Sequence, residues 1–238
     1  MTRVGVVVPP ANPAVEPEFA RLLGAQADLH VTRFPVRPGR PLAERLDSYN
    51  EALPDMIRSF GGLPLDALVM ACSGARYLLG PEEDRKRCDA LSTESGFPIA
   101  SATEATRAAL EHLGTKEITL VSPYQPWLTD LAERFWAAAG IRVTRVVPVK
   151  AGDEFAPYDV TTEELVGQVE AARVAPGAVL LLTGTGMPTL RAIGKLAEGD
   201  ERVVLTSNLC GAWWALTSAG QPVTLGRRKP RDGERVPT

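Results

Sequence analysis

The segment His30-Val31-Thr32-Arg33-Phe34-Pro35-Val36 returns as Arg142-Val143-Thr144-Arg145-Val146-Val147-Pro148-Val149, with Thr32 and Thr144 112 positions apart. Other pieces repeat in the same order. The apolar run 4–8 before Pro9-Pro10 is echoed by 118–121 before Ser122-Pro123-Tyr124. The run that ends in Cys72-Ser73-Gly74 is echoed by the one that ends in Thr183-Gly184-Thr185-Gly186, and the same offset sets Cys72 opposite Gly184. The stretch 98–113 has a shorter counterpart at 203–218. Such a chain is read as two similar lobes facing each other across a cleft, residues 1–114 and 115–225, followed by a polar tail, 226–238. No Gly/Ser/Pro-rich linker separates the lobes, so they are expected to share an interface, with the last helix of the second lobe packing on the first.

Within each lobe, strand-like runs alternate with amphipathic helical stretches. Strands are expected at 3–8, 29–36, 67–71, 99–101, 118–121, 143–149, 179–182 and 203–206. Helices are expected at 14–23, 41–60, 81–93, 102–113, 127–139, 162–172, 188–196 and 207–218. Trp127, Leu128, Leu131, Phe135 and Ala138 recur at helical spacing, as do Leu165, Val166, Val169 and Ala172. Regular β/α alternation implies an α/β fold, each lobe a mostly parallel sheet flanked by helices.

Composition excludes several classes of function. The 238 residues carry 26 basic and 29 acidic side chains spread along the chain, for a net charge of −3. That leaves no electrostatic footprint for nucleic acid or an anionic membrane. The one basic cluster, Arg227-Arg228-Lys229-Pro230-Arg231, is diluted by Asp232 and Glu234 and reads as a solvated tail. No apolar run approaches the ~20 residues of a membrane helix. Nothing at the start resembles a signal peptide, so a cytoplasmic location is expected. Three widely spaced cysteines argue against a disulfide framework.

In open α/β sheets, ligands bind beyond the carboxyl ends of the strands. That singles out 9–12, 72–74, Tyr124 and 183–186, segments rich in small or polar residues with free backbone N–H groups. The cleft they form is read as lacking nearby Lys, Arg or His, and as suited to a small carboxylic acid. Cys72 is the sharpest candidate, because a thiol at a strand end before a turn and possible helix start can have a lowered pKa and act as nucleophile or acid/base. Cys88 lies in a charged helical stretch and reads as incidental, and Cys210 reads as core packing beside Trp213 and Trp214. These two tryptophans are also the candidates for a homo-oligomer interface. His30 and His112 have no spacing that makes a zinc site or a triad. The 183–186 loop lacks the third glycine and the downstream acid of a dinucleotide motif, so neither metal nor cofactor is expected. Glu16 and Glu18 read as favouring the N-terminus of their own helix.

With these residues assembled, the chain resembles the aspartate/glutamate racemase superfamily, in the branch of maleate cis–trans isomerases, arylmalonate decarboxylases and ectoine-utilisation proteins. The resemblance runs from about Arg3 to Leu216. It is carried by Val-Pro-Pro-Ala-Asn-Pro-Ala-Val-Glu-Pro-Glu (8–18), Ala-Cys-Ser-Gly (71–74), Val-Ser-Pro-Tyr (121–124) and Thr-Ser-Asn (206–208) followed by Trp213. It implies a cofactor-independent, pseudo-two-fold pair of lobes, with Cys72 as the first-lobe cysteine. It also implies that Asn12, Ser73, Gly74, Tyr124, Gly184, Thr185 and Asn208 surround the substrate. The second-lobe cysteine of racemases is here Gly184, flanked by Thr183 and Thr185, which argues against two-base racemisation.

Three functions remain in play. The first is cis–trans isomerisation of a maleate-like acid through addition of the Cys72 thiolate. The second is decarboxylation of a disubstituted arylmalonate with Cys72 as proton donor. The third is a carboxylate-binding protein in which Cys72 is a relic.

Overall fold

The computed structural model describes residues 1–198 and 202–225, so the basic cluster of the tail lies outside the described residues. The first half runs β1 (Thr2–Val8), α1 (Val15–Leu23), β2 (Ala27–Arg33), α2 (Leu42–Arg58), β3 (Ala67–Met70), α3 (Ser73–Tyr77), α4 (Pro81–Ser95), β4 (Ile99–Ser101) and α5 (Ala102–His112). The second runs β5 (Glu117–Ser122), α6 (Pro126–Ala138), β6 (Arg142–Pro148), α7 (Thr162–Ala171), β7 (Val179–Leu182), α8 (Leu190–Ala197), β8 (Val203–Thr206) and α9 (Ser207–Ser218). Each half forms a four-stranded parallel sheet, ordered β2-β1-β3-β4 and β6-β5-β7-β8. The sequence repeat is thus a repeat of topology.

Strand parity divides the core into three. Val4, Val6 and Val8 of β1 and Ala67, Val69 and Ala71 at β3 face α1 and part of α9. Val7, Leu68, Met70 and Cys72 alternate with them and face the other way, into a core shared with Ile118, Leu120, Leu181 and Leu205 of the second sheet. The opposite face of that sheet buries Val121, Leu180 and Leu182 under α7 and α8. Helix α9 contributes to both cores, with Cys210 and Trp213 in the shared one and Ala212, Ala215 and Leu216 in the outer one. Period-two alternation therefore points the Cys72 side chain toward the second lobe.

Some expectations need correction. The second strand stops at Arg33 instead of reaching Val36. Phe34 N–H still bonds Val8 O at 2.9 Å, but β1 ends at Val8 and turns away, with Asn12 N–H bonded to Pro9 O at 3.1 Å, so the ladder has no partner beyond it. The chain then leaves the sheet, and residues 34–41 become a loop over the cleft. Trp213 is only 7% exposed and packs against His112, ring centroids 5.1 Å apart, so it offers no surface for an oligomer interface. Among the described residues no helix is long and apolar enough to cross a membrane.

Candidate active site

The strand order reverses between β1 and β3, and again between β5 and β7, so loops from these four carboxyl ends converge on one crevice. The resulting cavity has a volume of about 480 Å³. Asn12, Cys72, Ser73, Gly74, Tyr124, Gly184 and Thr185 all line it. Asn208 does not. It lies buried beneath, where its Nδ2 donates to Glu18 Oε2 (2.7 Å) and to Thr185 O (3.0 Å).

Several polar residues of the cleft are already committed to holding the lobes together. Asn12 Oδ1 accepts the backbone N–H groups of Ala14 and Val15 where α1 begins, and its Nδ2 donates to Thr185 Oγ1 at 3.2 Å. Thr185 Oγ1 in turn donates to Ala71 O at 2.7 Å. Ser73 Oγ donates to Ser207 Oγ, and the hydroxyls of Tyr77 and Thr183 meet at 2.6 Å. The Pro9–Asn12 loop is held from outside by Arg33, which donates to Pro9 O, Pro10 O and Asn12 O and pairs with Glu16. Glu18 does not serve its own helix. It is 4% exposed and accepts from Thr189 N and Oγ1, Leu190 N and Asn208 Nδ2, so it caps α8 of the other lobe.

Cys72 leaves β3 with extended backbone and caps the one-turn helix α3. Burial pushes its thiol up to about 11, against the pull of the Ala75 N–H, the Arg76 charge and the Gly74 N–H. The lowered pKa expected from a helix start is therefore reversed, because dehydration outweighs one turn of N–H groups. Behind the thiol, fully buried Arg76 faces fully buried Asp84, Nε to Oδ1 3.4 Å, and among the described residues none of the Arg76 nitrogens has a hydrogen-bond partner. Asp84 accepts from Ser101 Oγ and Thr103 Oγ1. Cys88, read as incidental, is 2% exposed with its sulfur 3.7 Å from Asp84 Oδ1, so it packs into this buried cluster.

On the opposite wall, Gly184 has φ +93°, and a Cβ there would stand 3.0 Å from Tyr124 Oη. The Tyr124 hydroxyl thus occupies the space beside the position matched to Cys72. Burial raises its phenol well above the ordinary value, with Tyr77, Cys72 and Tyr158 adding to the effect, so it is a hydrogen-bond donor across the neutral range. A second glycine matters by contact: a Cβ on Gly186 would lie 2.2 Å from Tyr158 Cε1, so the Tyr158 ring rests directly on that backbone.

Sequence reasoning missed the outer walls. Tyr49 of α2 and Tyr158 of the β6–α7 loop line the cavity, as do Arg37, Arg40 and Arg45, which corrects the picture of a cleft without cations. The helical spacing of Leu46, Tyr49, Asn50 and Leu53 marked a buried face of α2, but nothing in the sequence said that it faces the cleft. Among the described residues no group of three or more His, Cys, Asp or Glu is placed to hold a metal ion.

These features define a two-lobed α/β protein whose crevice has a buried thiol on one wall and glycine with a tyrosine hydroxyl on the other. Over residues 4–227 the chain matches the arylmalonate decarboxylase family, and it belongs to that family. The maleate isomerase of Geobacillus stearothermophilus is 26% identical over 210 residues, covering 82% of this chain and 83% of the relative. The crystal structure of the maleate isomerase Iso from Pseudomonas putida S16 superposes with a TM-score of 0.82 at 22% identity, covering 93% of this chain and 94% of that one. A Nocardia farcinica maleate cis–trans isomerase, a cysteine-to-serine mutant with a covalently bound succinylcysteine intermediate, gives 0.81 at 23% identity, with 93% and 94% covered. The two solved structures share the two-lobed fold.

Proposed function

We propose that the protein is an enzyme that isomerises an α,β-unsaturated, maleate-like carboxylic acid through Cys72, without metal or cofactor. The observation that carries the reading is the position of one buried thiol at the crevice, opposite a glycine and a tyrosine hydroxyl. Ionised Cys72, its proton passed to solvent or to a substrate carboxylate, adds through sulfur to one alkene carbon. The C=C π pair moves onto the adjacent carboxyl group as an enolate. The former double bond turns, and elimination of the thiolate restores the alkene in the other geometry. Tyr124 Oη and the Gly74 N–H are the donors assigned to the enolate, and stabilisation of developing charge by preorganised donors is commonly the largest catalytic effect. Ser73, Asn12 and Thr185 are assigned to position the acid, while Asn208 supports the floor. The adduct in the Nocardia neighbour is of this kind.

A second reading rests on a specific observation. A thiol raised to about 11 is protonated at neutral pH, which suits delivery of a proton to the enediolate left by decarboxylation of a malonate. Incubation with maleate and with a prochiral arylmalonate in D₂O, followed by NMR, separates the two. Isomerised alkene without carbon-bound deuterium is the expected result. A deuterated monoacid transfers the assignment to decarboxylation. Binding of both acids with no product from either leaves a carboxylate-binding protein.

A further inference from the structure

The cavity is far larger than a four-carbon acid requires, since about 480 Å³ lies in the range that holds drug-sized ligands. Its depth is graded. At the bottom lies Cys72, 5% exposed, and Tyr49, 6% exposed, stands between it and the rim. Tyr158, 39% exposed, stands further out. Arg45 is half-buried on α2, and Arg37 and Arg40 are exposed on the loop between β2 and α2. Electrostatics agree: both Tyr49 and Tyr158 feel Cys72 on one side and Arg45 on the other, and Arg76 is a charge that acts on Cys72. The two phenol rings, with Leu46 and Leu128, therefore form an apolar middle layer between the thiol and the arginines.

The arginines are not neutralised from within. Among the described residues no ion pair or side-chain hydrogen bond engages Arg37, Arg40 or Arg45, and the buried Arg45 Nε has no partner. Arg33 nearby is different, being taken by Glu16 and the loop carbonyls. Among the described residues Asp159 is the one carboxylate lining the cavity, against three guanidinium groups. A cationic rim in a chain of net charge −3 is a local feature, and guanidinium groups recognise carboxylate and phosphate geometry well.

We propose that Arg37, Arg40 and Arg45 form a second anion subsite. The substrate then carries, beyond the carboxylic acid at the reacting carbon, a further anionic group at the far end of an apolar spacer that lies between Tyr49 and Tyr158. This rests on the reading that the Cys72 end of the cavity binds a carboxylate. The substrate class that follows is a long dicarboxylate with its alkene beside the carboxyl group at Cys72, or an acid of the same length ending in phosphate, with maleate the minimal acid that fills the Cys72 end alone.

The test uses unreactive acids, three of matched length and succinate as a short one. Affinities of succinate, suberate, octanoate and 7-phosphonoheptanoate are measured by calorimetry, and each is also scored for protecting Cys72 from iodoacetamide. Suberate is expected to bind about tenfold more tightly than octanoate, as a few partly screened ion pairs provide, with the phosphonate equal or tighter. That preference should fall to near unity in Arg45→Met and in the loop variant Arg37→Gln/Arg40→Gln, whose exposed positions leave folding intact. Equal binding of suberate and octanoate by the parent overturns the subsite, and so does a preference that survives both variants. If suberate is preferred but no acid protects Cys72, the anion subsite stands and the carboxylate reading of the thiol end falls.

Discussion

At the residue scale, the buried thiol has consequences that separate nucleophile from acid. With a pKa of about 11, only about one thiol in a thousand is ionised at pH 8. If thiolate addition limits the rate, kcat/KM for isomerisation rises close to tenfold per pH unit from 7 toward 10. If Cys72 instead donates a proton, the rate stays flat over that range and falls as the pH nears 11. A pH–rate profile decides. Arg76 is one of the influences that hold the thiol below where burial alone would put it, so Arg76→Met should shift the midpoint of Cys72 alkylation upward. Pairing it with Asp84→Asn avoids a lone buried carboxylate. Cys72→Ala should lower turnover by about a thousandfold or more. Cys88→Ala and Cys210→Ala, away from the cavity, should cost stability alone, with no change in kcat at matched folding.

At the scale of elements, the cleft is set by junctions between one lobe's loops and the other's helix ends. Glu18 of α1 satisfies the first backbone donors of α8, 171 and 172 positions away. Glu18→Ala strands those donors and Asn208 Nδ2, at a cost of about 3 kcal/mol. A drop in Tm of roughly 6–12 °C is expected for a chain of this size, and an unchanged Tm would refute the capping role. The strand-to-helix turn after β7 is the other critical junction. Gly184→Ala places a side chain at positive φ and presses on Tyr124 Oη, so about 1–3 kcal/mol of stability should be lost. Turnover should fall by more than tenfold as the hydroxyl is displaced, and crystal structures of the parent and variant report that displacement directly.

At the scale of the whole molecule, the two sheets do not stand as independent cores. The largest cluster joins residues of both, and hydrogen bonds cross between them at Asn12–Thr185, Ser73–Ser207, Tyr77–Thr183 and Glu18–Thr189. A shared core of this kind predicts one cooperative transition. Urea unfolding followed by far-UV circular dichroism and by tryptophan fluorescence should superimpose, and two separated transitions would show that the lobes unfold singly.

The sequence by itself determined what depends on local pattern and on repetition. Strand and helix periodicity, and the 112-residue offset pairing Cys72 with Gly184, required two α/β lobes and placed the chemistry at strand ends. What it left open depends on groups brought together from distant parts of the chain. The thiol's pKa follows from how completely water is excluded, which no neighbour in sequence reports. The role of Glu18 follows from a helix in the other lobe. The arginine rim follows from β2 ending at Arg33, which sends residues 34–41 across the cleft. Burial and opposed loops are properties of the tertiary structure, because they arise only when both sheets pack on one core.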